Sequence, residues 1–183
     1  MLPPVPFYFL RHGETDWNRE GRMMGQTDIP LNATGRAQAE HARESAAALG
    51  LRAIATSALS RARETAEIVN RDLGLGLTAL DDLREVDVGP YTGIGDPDWM
   101  RRWYSGVAMA GAESFPVFRD RITRGFARAL ALEAPVLVVA HGGVFRALES
   151  VLGHAGRTDI PNATFIRFEP PAESQRAWRI TFA

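Results

Sequence analysis

Two histidines stand where apolar runs end, each followed by glycine and each with an arginine close by. The first is His12, in Phe7-Tyr8-Phe9-Leu10-Arg11-His12-Gly13-Glu14-Thr15. The second is His141, in Val136-Leu137-Val138-Val139-Ala140-His141-Gly142-Gly143-Val144-Phe145-Arg146. Matched imidazole and guanidinium groups describe an anion pocket, with phosphate as the best fit. A histidine can attack phosphorus and hold the phosphoryl group as a phosphoramidate. One ring nitrogen must then be fixed by a hydrogen bond while the other, unprotonated, faces the phosphate. Neighbouring cations favour the neutral ring and stabilise charge on the transferring group. Gly13 is expected to let the backbone approach the ligand closely.

Arg61 falls at the start of an expected helix, where an N-terminus favours anions and a guanidinium adds a bidentate grip. Arg63 reads instead as a solvated residue paired within that helix. Expelling an alkoxide from a phosphomonoester near neutral pH needs a proton donor. A carboxyl group held beside a bound phosphate keeps its proton more readily than one in water. Glu85, Glu14 and Glu113 all qualify, and composition does not choose among them.

The elements that must position these groups follow from the apolar pattern. An apolar run ending in a polar residue and glycine is how a buried strand of an open α/β sheet delivers side chains to a crevice. Strands are expected over Val5–Leu10, Arg52–Thr56, Leu77–Leu80, Val136–Ala140, Thr164–Phe168 and Ala177–Phe182. Helices are expected from a cap at Asn32 or Thr34 to Leu49, over Ser60–Leu73, over Phe115–Glu133 and over Val144–Leu152. Asp96-Pro97 reads as the start of a further helix carrying Trp99, Met100 and Trp103. The stretch Gly89–Gly111 admits two readings: a lid or rim, or a satellite helix packing its tryptophans into the core. Trp99, Trp103 and Tyr104 accordingly stand as candidates for a dimer contact or a substrate rim. Strands alternating with helices predict a mainly parallel sheet with helices on both faces.

The 183 residues suit one domain spanning 1–183. A net charge of -1 favours neither nucleic acid nor an anionic membrane, so an anion site must be built locally. With no cysteine there is no disulfide, thiolate metal site or cysteine nucleophile. The N-terminus lacks a basic start and prolines break its apolar stretch. No run approaches the ~20 residues of a membrane span, so a cytoplasmic protein is expected.

The ordered motifs resemble those of the histidine phosphatase superfamily, which includes cofactor-dependent phosphoglycerate mutases. Arg11-His12-Gly13-Glu14-Thr15-Asp16-Trp17-Asn18 is similar to its signature, and Gly21 to Leu31 with Gly35 and Gln38 to its next block. Ser57, Leu59, Arg61, Ala62, Glu64 and Thr65 match the block of its second arginine. Leu83 to Gly89 resembles the segment of its acid/base glutamate. His141 to Arg146 matches its second histidine motif, and Asn162-Ala163-Thr164 its final polar turn.

The resemblance implies a phosphoglycerate mutase-like three-layer sandwich. It also implies a phosphohistidine on His12, a pocket of Arg11, Arg61 and His141, and Glu85 as acid/base. Asn18, Gln26, Thr15 and Gly142 would bind substrate; no metal and no cofactor are implied. The segment between Gly93 and Gly111 is shorter than in typical relatives, and the tail after Phe182 is nearly absent. Enclosure keeps water from a phosphoenzyme. A short chain is therefore expected to hydrolyse its phosphoenzyme rather than transfer the group as a mutase does. A non-catalytic phospholigand binder would need the arginines but neither a nucleophile nor Glu85. A metal-dependent hydrolase would need a His/Asp ligand cluster that the sequence does not offer. The expected partner is a small phosphorylated metabolite, the chain being a monomer or homodimer.

Overall fold

The computed structural model describes residues 2–96, 98–154, 159–171 and 177–182. Six strands form one sheet: β1 (Phe7–Arg11), β2 (Ala53–Ser57), β3 (Leu77–Leu80), β4 (Val136–Ala140), β5 (Phe165–Glu169) and β6 (Arg179–Phe182). Their order is β3-β2-β4-β1-β5-β6. The β3–β2, β2–β4 and β4–β1 pairings are parallel, whereas β5 runs antiparallel to both β1 and β6. The helices are α1 (Asp16–Arg19), α2 (Ala33–Ala46), α3 (Ser60–Asn70), α4 (Trp99–Tyr104), α5 (Phe115–Ala129) and α6 (Gly142–Val151).

The sheet is apolar on both faces, as parallel strands covered twice must be. Along β4, Val136, Val138 and Ala140 join a core with α5 and α6, while Leu137 and Val139 join a second core with α2 and α3. The two-residue period of a strand makes that division. In β1, Phe7 and Phe9 take the first side and Leu10 the second. The expected α/β sandwich is therefore present, with a mainly parallel sheet and helices on each face.

Boundaries differ where local chemistry intervenes. Of the two possible caps, Asn32 is the one used, its Oδ1 accepting the Gly35 N–H at 2.8 Å. Helix α3 begins at Ser60 after an N-cap, Leu59, that makes no side-chain cap bond, and Asp28 from a distant loop accepts the Ser60 N–H at 2.8 Å. Helix α5 stops at Ala129, four residues before the expected Glu133. Helix α6 begins two residues early, so both glycines after His141 lie in its first turn.

Helix α4 starts at Trp99, later than Asp96-Pro97 suggests. Asp96 accepts the Asp98 N–H in a turn ahead of the helix, and Pro97 lies outside the described residues. The segment is the satellite helix of the two readings. Trp99 and Trp103 are 0% and 1% exposed, so neither lines a rim or a dimer contact, which corrects that expectation. The two indoles stack at 5.5 Å, and Trp103 donates from Nε1 to the Glu113 carbonyl at 2.7 Å. Two wide apolar rings on one short helix are worth more buried than exposed. Tyr104 is half-buried, with the Arg146 guanidinium 5.5 Å from its ring centre.

Candidate active site

The β1–β4 pairing brings the two histidines together. Arg11 lies opposite Ala140 in register, and the His12 N–H continues the ladder onto the Ala140 carbonyl at 2.9 Å. The rings that follow sit 5.2 Å apart, centre to centre, and both are buried. Two residues from opposite ends of the chain become neighbours because their strands are adjacent at the centre of the sheet.

The His12 loop is held on every side. Its Nδ1 lies 2.7 Å from the Gly13 carbonyl, an acceptor that requires the proton on Nδ1 and leaves Nε2 with its lone pair. Asn162 donates to the His12 carbonyl at 2.7 Å, and Thr65 of α3 accepts the Gly13 N–H at 3.0 Å. Gly13 makes a close approach to protein backbone. A Cβ there would stand 2.3 Å from the Gly35 carbonyl oxygen, so this glycine lets the first turn of α2 pack onto the loop.

His141 pairs through Nε2 with the Ser57 hydroxyl at 2.8 Å. That hydroxyl oxygen also accepts the Leu59 N–H at 3.3 Å, so Ser57 ties His141 to the turn that leads into α3. His141 Nδ1 is buried with no partner among the described residues, and so are Arg11 Nε and Arg61 Nε. Arg61 is fully buried, its other nitrogens donating to the carbonyls of Thr27 at 2.9 Å and Gly25 at 2.8 Å. Arg11 donates to the Ile160 carbonyl at 2.8 Å. Among the described residues neither guanidinium is salt-bridged to a carboxylate. A buried cation without a counter-ion carries a large desolvation cost, which a bound anion would offset.

A cavity of about 260 Å³ opens here. Arg11, His12, Arg61 and Glu85 all line it. Met23, Met24, Val86, Val88, Met100 and Ile160 supply apolar wall, and Asn18, Arg22, Gly142, Gly143, Arg146 and Asp159 also belong to the lining. Neither Glu14 nor Glu113 lines it. Glu14 accepts from Asn32 at 2.9 Å, and Glu113 is bound by Arg121 at 2.7 Å. His141 packs against His12 and is not itself part of the lining.

Of the residues expected on the substrate side, Asn18 and Gly142 line the cavity, whereas Thr15 and Gln26 do not. The Thr15 hydroxyl caps α1 by accepting the Asn18 N–H. The Gln26 amide donates to the Glu85 carbonyl at 3.2 Å, bracing the segment that carries the glutamate. Arg63 pairs with Glu67 one turn along α3, as expected of a solvated residue.

Arg121 is a residue the motifs did not single out. From α5 it donates to the carbonyls of Asp82, Arg84 and Glu85, and it grips Glu113 through two nitrogens. Its five donors gather the segment leading to Glu85. On a helix surface it reads as one more solvated arginine, and only its spacing from Phe118 and Ile122 hinted at an inward position.

Burial acts on the histidines and arginines at the centre. It lowers the proton affinity of His12 well below the ordinary histidine range, with Arg61 and then Arg11 adding to the effect. His141 shifts the same way, by burial first, then Arg61 and His12. Burial also pulls Arg61 down to about 10, and it remains a cation at neutral pH.

These depressed histidines predict a pH dependence of stability. In the unfolded chain each takes a proton near pH 6.5, whereas the folded state resists protonation until well below that. Their contribution is complete above about pH 6.5 and is lost as pH falls toward the folded values, by up to about 1.4 kcal/mol per pH unit per histidine. Urea unfolding from pH 7.5 to 5 should show wild type losing stability more steeply than the His12→Gln/His141→Gln variant. Parallel slopes would mean the folded rings protonate normally.

The comparisons with known proteins agree with this architecture. Residues 7–179 match the family model of the histidine phosphatase superfamily (branch 1), and the chain belongs to that family. It is 38% identical over 141 residues to the uncharacterized phosphatase PhoE of Bacillus subtilis, covering 76% of this chain and 72% of that one. It is 35% identical over 157 residues to the probable phosphoglycerate mutase GpmB of Salmonella paratyphi B, covering 79% and 73%. Among solved structures, a mycobacterial glucosyl-3-phosphoglycerate phosphatase in complex with VO3 superposes with a TM-score of 0.83 at 29% identity, over 97% of each chain.

Proposed function

We propose that this protein is a phosphomonoester hydrolase working through a phosphohistidine on His12. One observation carries the reading. A histidine whose Nδ1 is tied to a carbonyl, two guanidiniums that make no direct salt bridge among the described residues and a carboxylate line a single small cavity. A binder of phosphorylated ligands has no use for the first and the last of these.

In the proposed reaction Arg11 and Arg61 hold the phosphate oxygens, with the His141 ring packed against His12. The His12 Nε2 lone pair forms the N–P bond as the ester P–O bond breaks, and Glu85 gives its proton to the departing alkoxide. Water then attacks phosphorus while Glu85 takes its proton. The N–P bond breaks, and inorganic phosphate and neutral His12 are released. The cations supply the charge that a metal provides in other phosphatases. Among the described residues no group of three His, Cys, Asp or Glu side chains could hold a metal.

The cavity lies below the usual ~300–1,000 Å³ range of small-molecule sites, which favours a small phosphorylated metabolite as substrate. Likeness to a probable mutase supports transfer as the second reading. We place the activity in the cytoplasm, where such metabolites arise; among the described residues no helix is long and apolar enough to cross a membrane. A panel of phosphorylated metabolites assayed for phosphate release decides between the readings. Hydrolysis should proceed unchanged in excess chelator. Activity lost to the chelator and restored by one metal would overturn the mechanism, and isomerised phosphoester without phosphate release would establish the mutase instead.

A further inference from the structure

The Glu85 carboxylate rests on the first turn of α6. Its Oε2 accepts the Gly143 N–H at 2.9 Å, and its Oε1 accepts the N–H of Val86 at 3.0 Å. His141, the residue at the helix cap, makes no capping bond with its side chain. Glu85 therefore supplies, from 58 residues away, the acceptor that a serine or aspartate cap would give locally.

Room for this exists only because residue 143 has no side chain. A Cβ there would stand 2.2 Å from Glu85 Oε1 and 3.0 Å from its Cδ. At Gly142, one residue earlier, a Cβ would meet nothing closer than the Arg11 guanidinium at 3.8 Å. Gly143 has no positive φ, so its backbone does not require glycine. The carboxylate alone excludes a side chain.

We propose that Gly143 is a positioning residue, whose N–H and missing Cβ together set where the Glu85 carboxylate sits in the cavity. The proposal rests on the reading of Glu85 as acid/base. Glu85's main chain is pinned, since Gln26 and Arg121 both donate to its carbonyl at 3.2 Å. A β-carbon at 143 can therefore be accommodated only by swinging the carboxylate away, which also breaks its bond to the α6 N–H. His12 and Arg61 are held by other contacts and stay in place. The loss falls on proton transfer, not on phosphate binding.

Gly143→Ala should lower the pre-steady-state burst with an alkyl phosphate by about 10²-fold or more, and far less with p-nitrophenyl phosphate, whose phenolate needs little protonation. Inhibition by orthovanadate should stay close to wild type, and thermal unfolding should change little, since the better helix propensity of alanine offsets the lost cap bond. In a Glu85→Ala background, adding Gly143→Ala should cost little more, because the overlap is gone. This pair remains informative if the single variant folds poorly. A wild-type burst in Gly143→Ala beside an impaired Glu85→Gln would overturn the Gly143 proposal alone. Equal losses on both substrates, weakened vanadate inhibition or additive effects with Glu85→Ala would overturn it too. If Glu85→Gln itself spares alkyl phosphates, the acid/base reading fails and takes this proposal with it.

Discussion

His12→Ala should reduce phosphomonoester hydrolysis by roughly 10⁴-fold or more, the scale seen when a nucleophile is removed from an otherwise intact site. The size follows from what remains. Arg11 and Arg61 would still hold a phosphate, but nothing would attack it, since the neighbouring His141 ties its Nε2 to Ser57 and does not line the cavity. Rapid quench of wild type with labelled substrate should trap a phosphoprotein that is acid-labile and base-stable, and the variant should yield none. The protein should remain folded, because α2, α3 and the Asn162 turn hold this loop through its backbone rather than through the ring. Near wild-type turnover in the variant would rule out the phosphohistidine mechanism.

Glu85→Gln should separate substrates by their leaving groups. General-acid assistance supplies about 10²–10⁴-fold where the alkoxide leaves badly and little where a phenolate leaves well. The burst with an alkyl phosphate should fall by that range, while the burst with p-nitrophenyl phosphate changes little. Burst rates must be compared, because the later attack by water needs Glu85 as base for either substrate. The amide keeps an oxygen for the Gly143 N–H, so the variant tests the proton and not the packing. Equal losses on both substrates would mean that Glu85 binds or orients without donating.

Much of this was legible in the chain. The Phe7–Leu10 and Val136–Ala140 runs announce buried strands because a sheet covered on both faces needs apolar residues on both, and each run ends at its histidine. Arg61 could be placed at a helix start and Arg63 in solvent, because neighbours on a helix are only three or four residues apart. Periodicity and caps are local properties, and a sequence states them directly. The start of α6 was less visible, since Glu85 accepts an N–H of its first turn from elsewhere in the chain.

What tertiary structure alone decided are the contacts between distant segments. Glu14, Glu85 and Glu113 are alike as residues, and only Glu85 reaches the cavity, because Arg121 and Gln26 hold its segment against α6. Gly13 and Gly143 are alike as glycines following a histidine motif. One admits the backbone of Gly35 and the other the carboxylate of Glu85. The tryptophans of α4 fit a rim as well as a core until α5 brings Phe115 and Phe118 against Trp103. A residue's type sets which interactions it can make, but its partner depends on how strands and helices far apart in the chain are stacked. That arrangement is a cooperative property of the whole packed sheet, so no local pattern encodes it.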